Sequence, residues 1–114
     1  MATTITVRPA EKGTAKVTVG TFTDEATPPS AVTPLTITWT LTDLAGTVIN
    51  LRAAVVVTPA PTVSFLLTGE DLAIPAADSR RALTISWTYN STLGSGLTGR
   101  EQALFSIEQF VGVT

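Results

Sequence analysis

The chain has no cysteine and no histidine. Without cysteine there is no disulfide, no thiolate nucleophile and no thiolate zinc site. Without histidine the usual nucleophile–base pairs and imidazole ligand sets are gone too. Charge is scarce: Asp, Glu, Lys and Arg make up 14% of residues, against roughly 25% in an ordinary domain. The seven basic residues do not gather beyond Arg80-Arg81, and the net charge is −2. The basic stripe that nucleic-acid binding needs is therefore absent. No apolar run reaches the ~18 residues of a membrane span. The start, Met1-Ala2-Thr3-Thr4-Ile5-Thr6, lacks a basic leader and an apolar run, so no signal peptide is expected.

What the chain does have is hydrophobic residues, at 44% of 114. Low charge with high hydrophobicity excludes a disordered chain. The length is that of one domain, 1–114, able to bury roughly 65% of its unfolded surface without staples. The surface is left mainly to threonine and alanine. Two readings stay open: a stable domain with a threonine-rich face, or a subunit whose surface is covered in an assembly.

Alternation of period two recurs along the chain, and helical period almost nowhere. Strands are expected over residues 3–8 and from Ala15 to about Phe22. A connection with Pro28-Pro29 and Pro34 follows. Leu35, Ile37, Trp39 and Leu41 then alternate with threonines in the clearest strand. Asp43 to Gly46 reads as a turn, with residues 47–52 as its hairpin partner. Residues 53–58 are β-rich, and Val63, Phe65 and Leu67 alternate in the next strand. Residues 69–75 suggest one helical turn, and 76–79 a loop. Leu83, Ile85, Trp87 and Tyr89 mark a further strand. The glycine-rich stretch Asn90 to Gly99 suggests a long, mobile hairpin tip. A last strand from Arg100 puts Ala103, Phe105 and Ile107 on the core face. About seven to eight strands with regular turn signals predict an all-β antiparallel sandwich. Leu35-Thr36-Ile37-Thr38-Trp39-Thr40 is echoed by Leu83-Thr84-Ile85-Ser86-Trp87-Thr88. In an immunoglobulin-like order these are strands C and F, neighbours in one sheet with both tryptophans in the core.

The candidate chemistry is thin. The glycines of Gly94-Ser95-Gly96-Leu97-Thr98-Gly99 open a strand, whereas a phosphate cradle opens a helix. The carboxylate pairs Asp24-Glu25 and Glu70-Asp71 read as solvated loop charges, with no aromatic platform for glycoside hydrolysis. No Asp-rich loop offers the six oxygens calcium takes. Asn90-Ser91-Thr92 fits a glycosylation triplet by pattern alone. Arg80-Arg81 reads as a solvated pair at a strand start. No catalytic, metal-binding or cofactor-binding residue is therefore proposed. Phe110, Val111 and Val113 extend an apolar pattern to the chain end. They either complete the core or present an edge strand to a partner.

Residues 37–50, Ile-Thr-Trp-Thr-Leu-Thr-Asp-Leu-Ala-Gly-Thr-Val-Ile-Asn, form a strand–turn–strand pattern. That pattern resembles a group of small immunoglobulin-like proteins encoded among the virion genes of tailed bacteriophages. So does the segment from Arg81-Ala82-Leu83-Thr84-Ile85 through Tyr89 and Leu93-Gly94-Ser95-Gly96-Leu97 to Phe105. With residues 62–72 the similarity covers about half to two-thirds of the chain. It carries no catalytic motif. It implies an immunoglobulin-like virion component: a capsid decoration, a neck or tail accessory subunit, or part of a fibre. Its partners would be capsid, neck or tail proteins, met in multiple copies after assembly in the bacterial cytoplasm. Low charge and the missing cysteines suit that setting. The alternative is a carbohydrate- or cell-surface-binding immunoglobulin-like module, which predicts exposed aromatic residues.

Overall fold

Polar residues, threonine above all, alternate with large apolar ones in several stretches, and paired strands let each such stretch hide its apolar side. A computed structural model describes residues 2–5, 9–74 and 79–109. Among them are seven strands: β1 (Ala2–Ile5), β2 (Thr14–Gly20), β3 (Thr36–Thr42), β4 (Val55–Val57), β5 (Thr62–Thr68), β6 (Arg80–Ser91) and β7 (Gly94–Ser106). A 3₁₀ turn, Gly69–Leu72, follows β5. The strands make two antiparallel sheets, in the orders β1-β2-β5 and β4-β3-β6-β7. The fold is thus an all-β sandwich. β3 and β6 occupy the places of strands C and F, and the fourth strand joins their sheet.

The core lies between the sheets. β2 gives it Ala15, Val17 and Val19, and β5 gives Val63 and Leu67. Facing them are Ile37, Trp39 and Leu41 of β3 with Leu83, Ile85, Trp87 and Tyr89 of β6. Trp39 stacks on Phe65 across the sandwich, ring centroids 4.6 Å apart and planes 5° from parallel. Trp87 meets Phe22 edge to face at 5.2 Å. The echoed segments pair with each other, antiparallel about Thr38 and Ser86, so that Ile37 opposes Trp87 and Trp39 opposes Ile85. Each copy of the motif thereby places its tryptophan across from the other's isoleucine.

Two expectations fail on backbone grounds. Residues 47–52 are not a hairpin strand. They touch β3 through the isolated Thr42–Val48 bridge, then turn with Asn50 and Leu51 at φ of 51° and 58°. The strand that pairs beside β3 is β4, Val57 opposite Ile37. Nor is Asn90 to Gly99 a mobile tip. β6 and β7 are joined by Thr92 and Leu93 alone, and Leu97 and Gly99 pair with Tyr89 and Trp87. Gly99 is there for a close approach. A Cβ on it would lie 2.4 Å from the Trp87 indole. Smaller shifts occur elsewhere: β2 stops at Gly20, although Phe22 beyond it is fully buried.

Candidate interaction surface

The sequence predicts that each charged pair is solvated, and the structure splits them. Asp24 and Glu25 lie beyond the Gly20 end of β2. Asp24 Oδ1 accepts from the N–H groups of Ala26 and Ser30 and closes a loop. Glu25 accepts from the Ser91 hydroxyl at the β6–β7 turn. Glu70 and Asp71 follow the other end of β5, about 20 Å away at strand rise. The two pairs thus share no cleft. Glu70 is exposed and 3.9 Å from Lys12.

Asp71 is completely buried. Its Oδ1 accepts from Asn50 Nδ2 at 2.9 Å and Arg52 Nε at 2.8 Å. Its Oδ2 accepts from the Thr68 N–H at 3.0 Å and Arg52 Nη2 at 3.3 Å. Burial pushes this carboxyl up. The Arg52 guanidinium, the Thr68 N–H and the Asn50 amide outweigh burial and hold it below the usual carboxylate value. The same guanidinium lies 5.7 Å from the Trp39 ring centroid, within cation–π range. Arg81 is also buried, donating to the carbonyls of Ala73 and Arg80. No spacing in the sequence announced either role, because both depend on partners brought together by the fold.

The clamp on Asp71 shapes the loop between β3 and β4. Asn50 and Arg52 are both tied to one buried carboxylate, and the residue between them, Leu51, is 93% exposed. Leu44 and Val48 of the same loop are also exposed. Asp43 Oδ1 accepts from the N–H groups of Ala45 and Thr47 and fixes the loop's first turn. Two shallow grooves flank that turn. One, of about 410 Å³, includes Val48, Asn50 and Glu70 in its lining. The other, of about 310 Å³, is lined by Leu44, Arg80, Arg81, Leu104, Phe105 and Ser106.

The outer face of the four-stranded sheet is a field of hydroxyls. Register places Thr36, Thr88 and Thr98 in one row, Val56, Thr38, Ser86 and Arg100 in the next, and Thr40, Thr84 and Gln102 in a third. Some are satisfied among themselves: Thr36 and Thr88 hydroxyls lie 2.7 Å apart, and Gln102 Nε2 donates to Thr84 Oγ1 at 2.9 Å. Arg80 and Arg100 alone bring charge to this face among the described residues. Val56 and Leu104 stand out of it, 81% and 66% exposed. β7 is the long edge of the sheet. Glu101, opposite buried Ile85, turns a carboxylate to the inner side of that edge, a device that discourages strand addition.

The predicted contact residues Phe110, Val111 and Val113 lie outside the described residues. Asn90 is exposed, and its Oδ1 accepts from the Gly96 N–H. Phe22, Trp39, Trp87 and Tyr89 are buried in the core, with Phe65 and Phe105 packed against it. No group of three acidic side chains is placed to hold a metal ion among the described residues. Comparison with protein-family models, curated proteins and solved structures found no match.

Proposed function

We propose that the protein is a structural subunit of a larger assembly and acts by protein–protein contact, without catalysis. The observation that carries this reading is the outer face of the four-stranded sheet. It is broad, nearly uncharged and studded with exposed Val56 and Leu104. A protein that stays alone in solution usually breaks such a face with charge. The resemblance of residues 37–50 and 81–105 to small immunoglobulin-like virion proteins of tailed phages supports a phage virion as that assembly, with the chain as a capsid decoration or a neck or tail accessory subunit. A carbohydrate-binding module would use aromatic rings as a platform, and the rings named above are committed to the core. The test is mass spectrometry of purified phage particles from lysates in which the chain is made. The chain should persist at a fixed ratio to the capsid protein through density-gradient purification. Its loss from the particles during that purification would overturn the reading.

A further inference from the structure

Natural sheets guard their edges with charge, proline or a covering segment. β7 follows that rule through the inward Glu101. β4, the other edge of the same sheet, does not. Its three residues are all valine. Residues 53–69 carry no charge, and Pro59 and Pro61 come only after the strand has ended. Arg52, the nearest charge before it, is held by buried Asp71. An edge of the second sheet lies on the same flank. Trp39 of β3 stacks on Phe65 of β5, whereas Trp87 of β6 meets Phe22 beyond β2. β5 therefore sits over β3, on the β4 side, and it too is an edge strand. Beside these two edges Val56 and Leu66 stand exposed.

The backbone decides what such an edge takes. Leu41 turns both its N–H and its C=O to the β4 flank, where they bond Arg52 and Ile49. Bonding direction alternates along a strand, so Trp39 and Ile37 turn theirs the same way. Val55 and Val57 lie directly opposite those two residues, and their backbone groups are used within the sheet. Val56, between them, turns its N–H and C=O outward, where no strand follows. One donor and one acceptor on a single residue match the same residue of a second copy. A two-fold axis normal to the sheet at Val56 lets the two copies exchange both bonds as an antiparallel hydrogen-bonded pair. The same axis sets Val55 opposite the partner's Val57. Charge favours a second copy as occupant. Two identical flanks meet without repulsion when they carry no charge, whereas a different partner is steered and selected by opposite charge.

We propose that two copies of this chain pair edge to edge through β4, centred on Val56, and join their four-stranded sheets into one continuous sheet. This deepens the reading of the chain as an assembly subunit and rests on it, naming the contact by which copies meet. Three residues make a short edge. The pair is therefore weak in isolation and gains from being repeated in an assembly.

The test is nuclear magnetic resonance of the isotope-labelled full chain, with sedimentation, over a concentration series up to about 1 mM. The outward Val56 N–H should gain protection from hydrogen exchange as concentration rises, while those of Val55 and Val57 are protected throughout. Val56 faces its own copy across the axis. Val56→Glu and Val56→Lys should therefore each weaken association about tenfold or more, and an equal mixture of the two should restore it. Neither should shift the melting temperature of the monomer, because the Val56 side chain is largely in water. A chain that stays monomeric at about 1 mM, or a mixture that pairs no better than either variant alone, overturns the proposal. Protection of Val56 that appears only when another particle protein is added overturns it too, since the edge then belongs to a foreign strand. This assay uses purified protein, so its failure leaves particle incorporation to be judged separately. Absence from particles would likewise not touch the pairing.

Discussion

At the scale of single residues, Gly99 and Gly46 show how one amino acid serves two unlike needs. Gly46 has φ 94° with nothing near its missing Cβ. Gly46→Ala should therefore cost only about 1 kcal/mol of backbone strain. Gly99→Ala drives a methyl into the Trp87 indole. Overpacking of this kind costs about 1–3 kcal/mol, and a shift in tryptophan fluorescence should accompany the loss in urea denaturation. Trp39→Ala and Trp87→Ala should each cost about 3–5 kcal/mol by the same assay. Asp71 contributes a pH dependence of definite sign. Its native carboxyl sits below its unfolded value of ~3.9. The stability it provides is thus fully present above that value and is lost as pH falls through the native one. Asp71→Asn should destabilise the protein at neutral pH by about 1–3 kcal/mol, since Arg52 keeps partial access to water. It should also flatten the decline seen in acid melts below about pH 4.

At the scale of elements, β6 is the most enclosed strand, paired along β3 on one side and β7 on the other. Hydrogen exchange should find its amides among the slowest. Residues 97–99 of β7 should be protected wherever their N–H groups point to β6. Rapid exchange throughout that stretch would mean the hairpin frays. Alternation made β2, β3, β5 and β6 legible in the sequence, because one face of each is buried and period two is the direct imprint of that. The paired echo of β3 and β6 was legible for the same reason. The stretch from Asn90 to Gly99 was not, since a glycine that admits an indole looks like a glycine that loosens a loop. The 47–52 segment misled in the opposite sense. Thr47, Val48 and Ile49 have strand propensity, but the Asp71 clamp is a tertiary contact that no local pattern encodes. Leu51 as a surface feature was invisible for that reason.

The whole molecule is elongated, 53 × 23 × 22 Å, with a radius of gyration of 15.3 Å. A compact chain of this length would give about 13 Å. The stretch follows from the long β6–β7 hairpin, which runs through residues 80–106 with only a two-residue turn. The β2–β5 and β3–β6 pairings join distant parts of the chain, Thr14 with Thr68 and Thr36 with Thr88. Loop closure must precede them, so refolding should take milliseconds to seconds. Stopped-flow tryptophan fluorescence would follow it directly, and a microsecond phase carrying the full amplitude would contradict this. The crossed pairing of the two motifs sets the thickness of the whole sandwich. The two tryptophan rungs on the inner face of β3 and β6, Ile37–Trp87 and Trp39–Ile85, each hold one indole and one isoleucine, so they have equal bulk. The opposite sheet can lie level on them. Had the motifs paired tryptophan to tryptophan, one rung would have stood high and its neighbour low, and the two sheets would have met as a wedge.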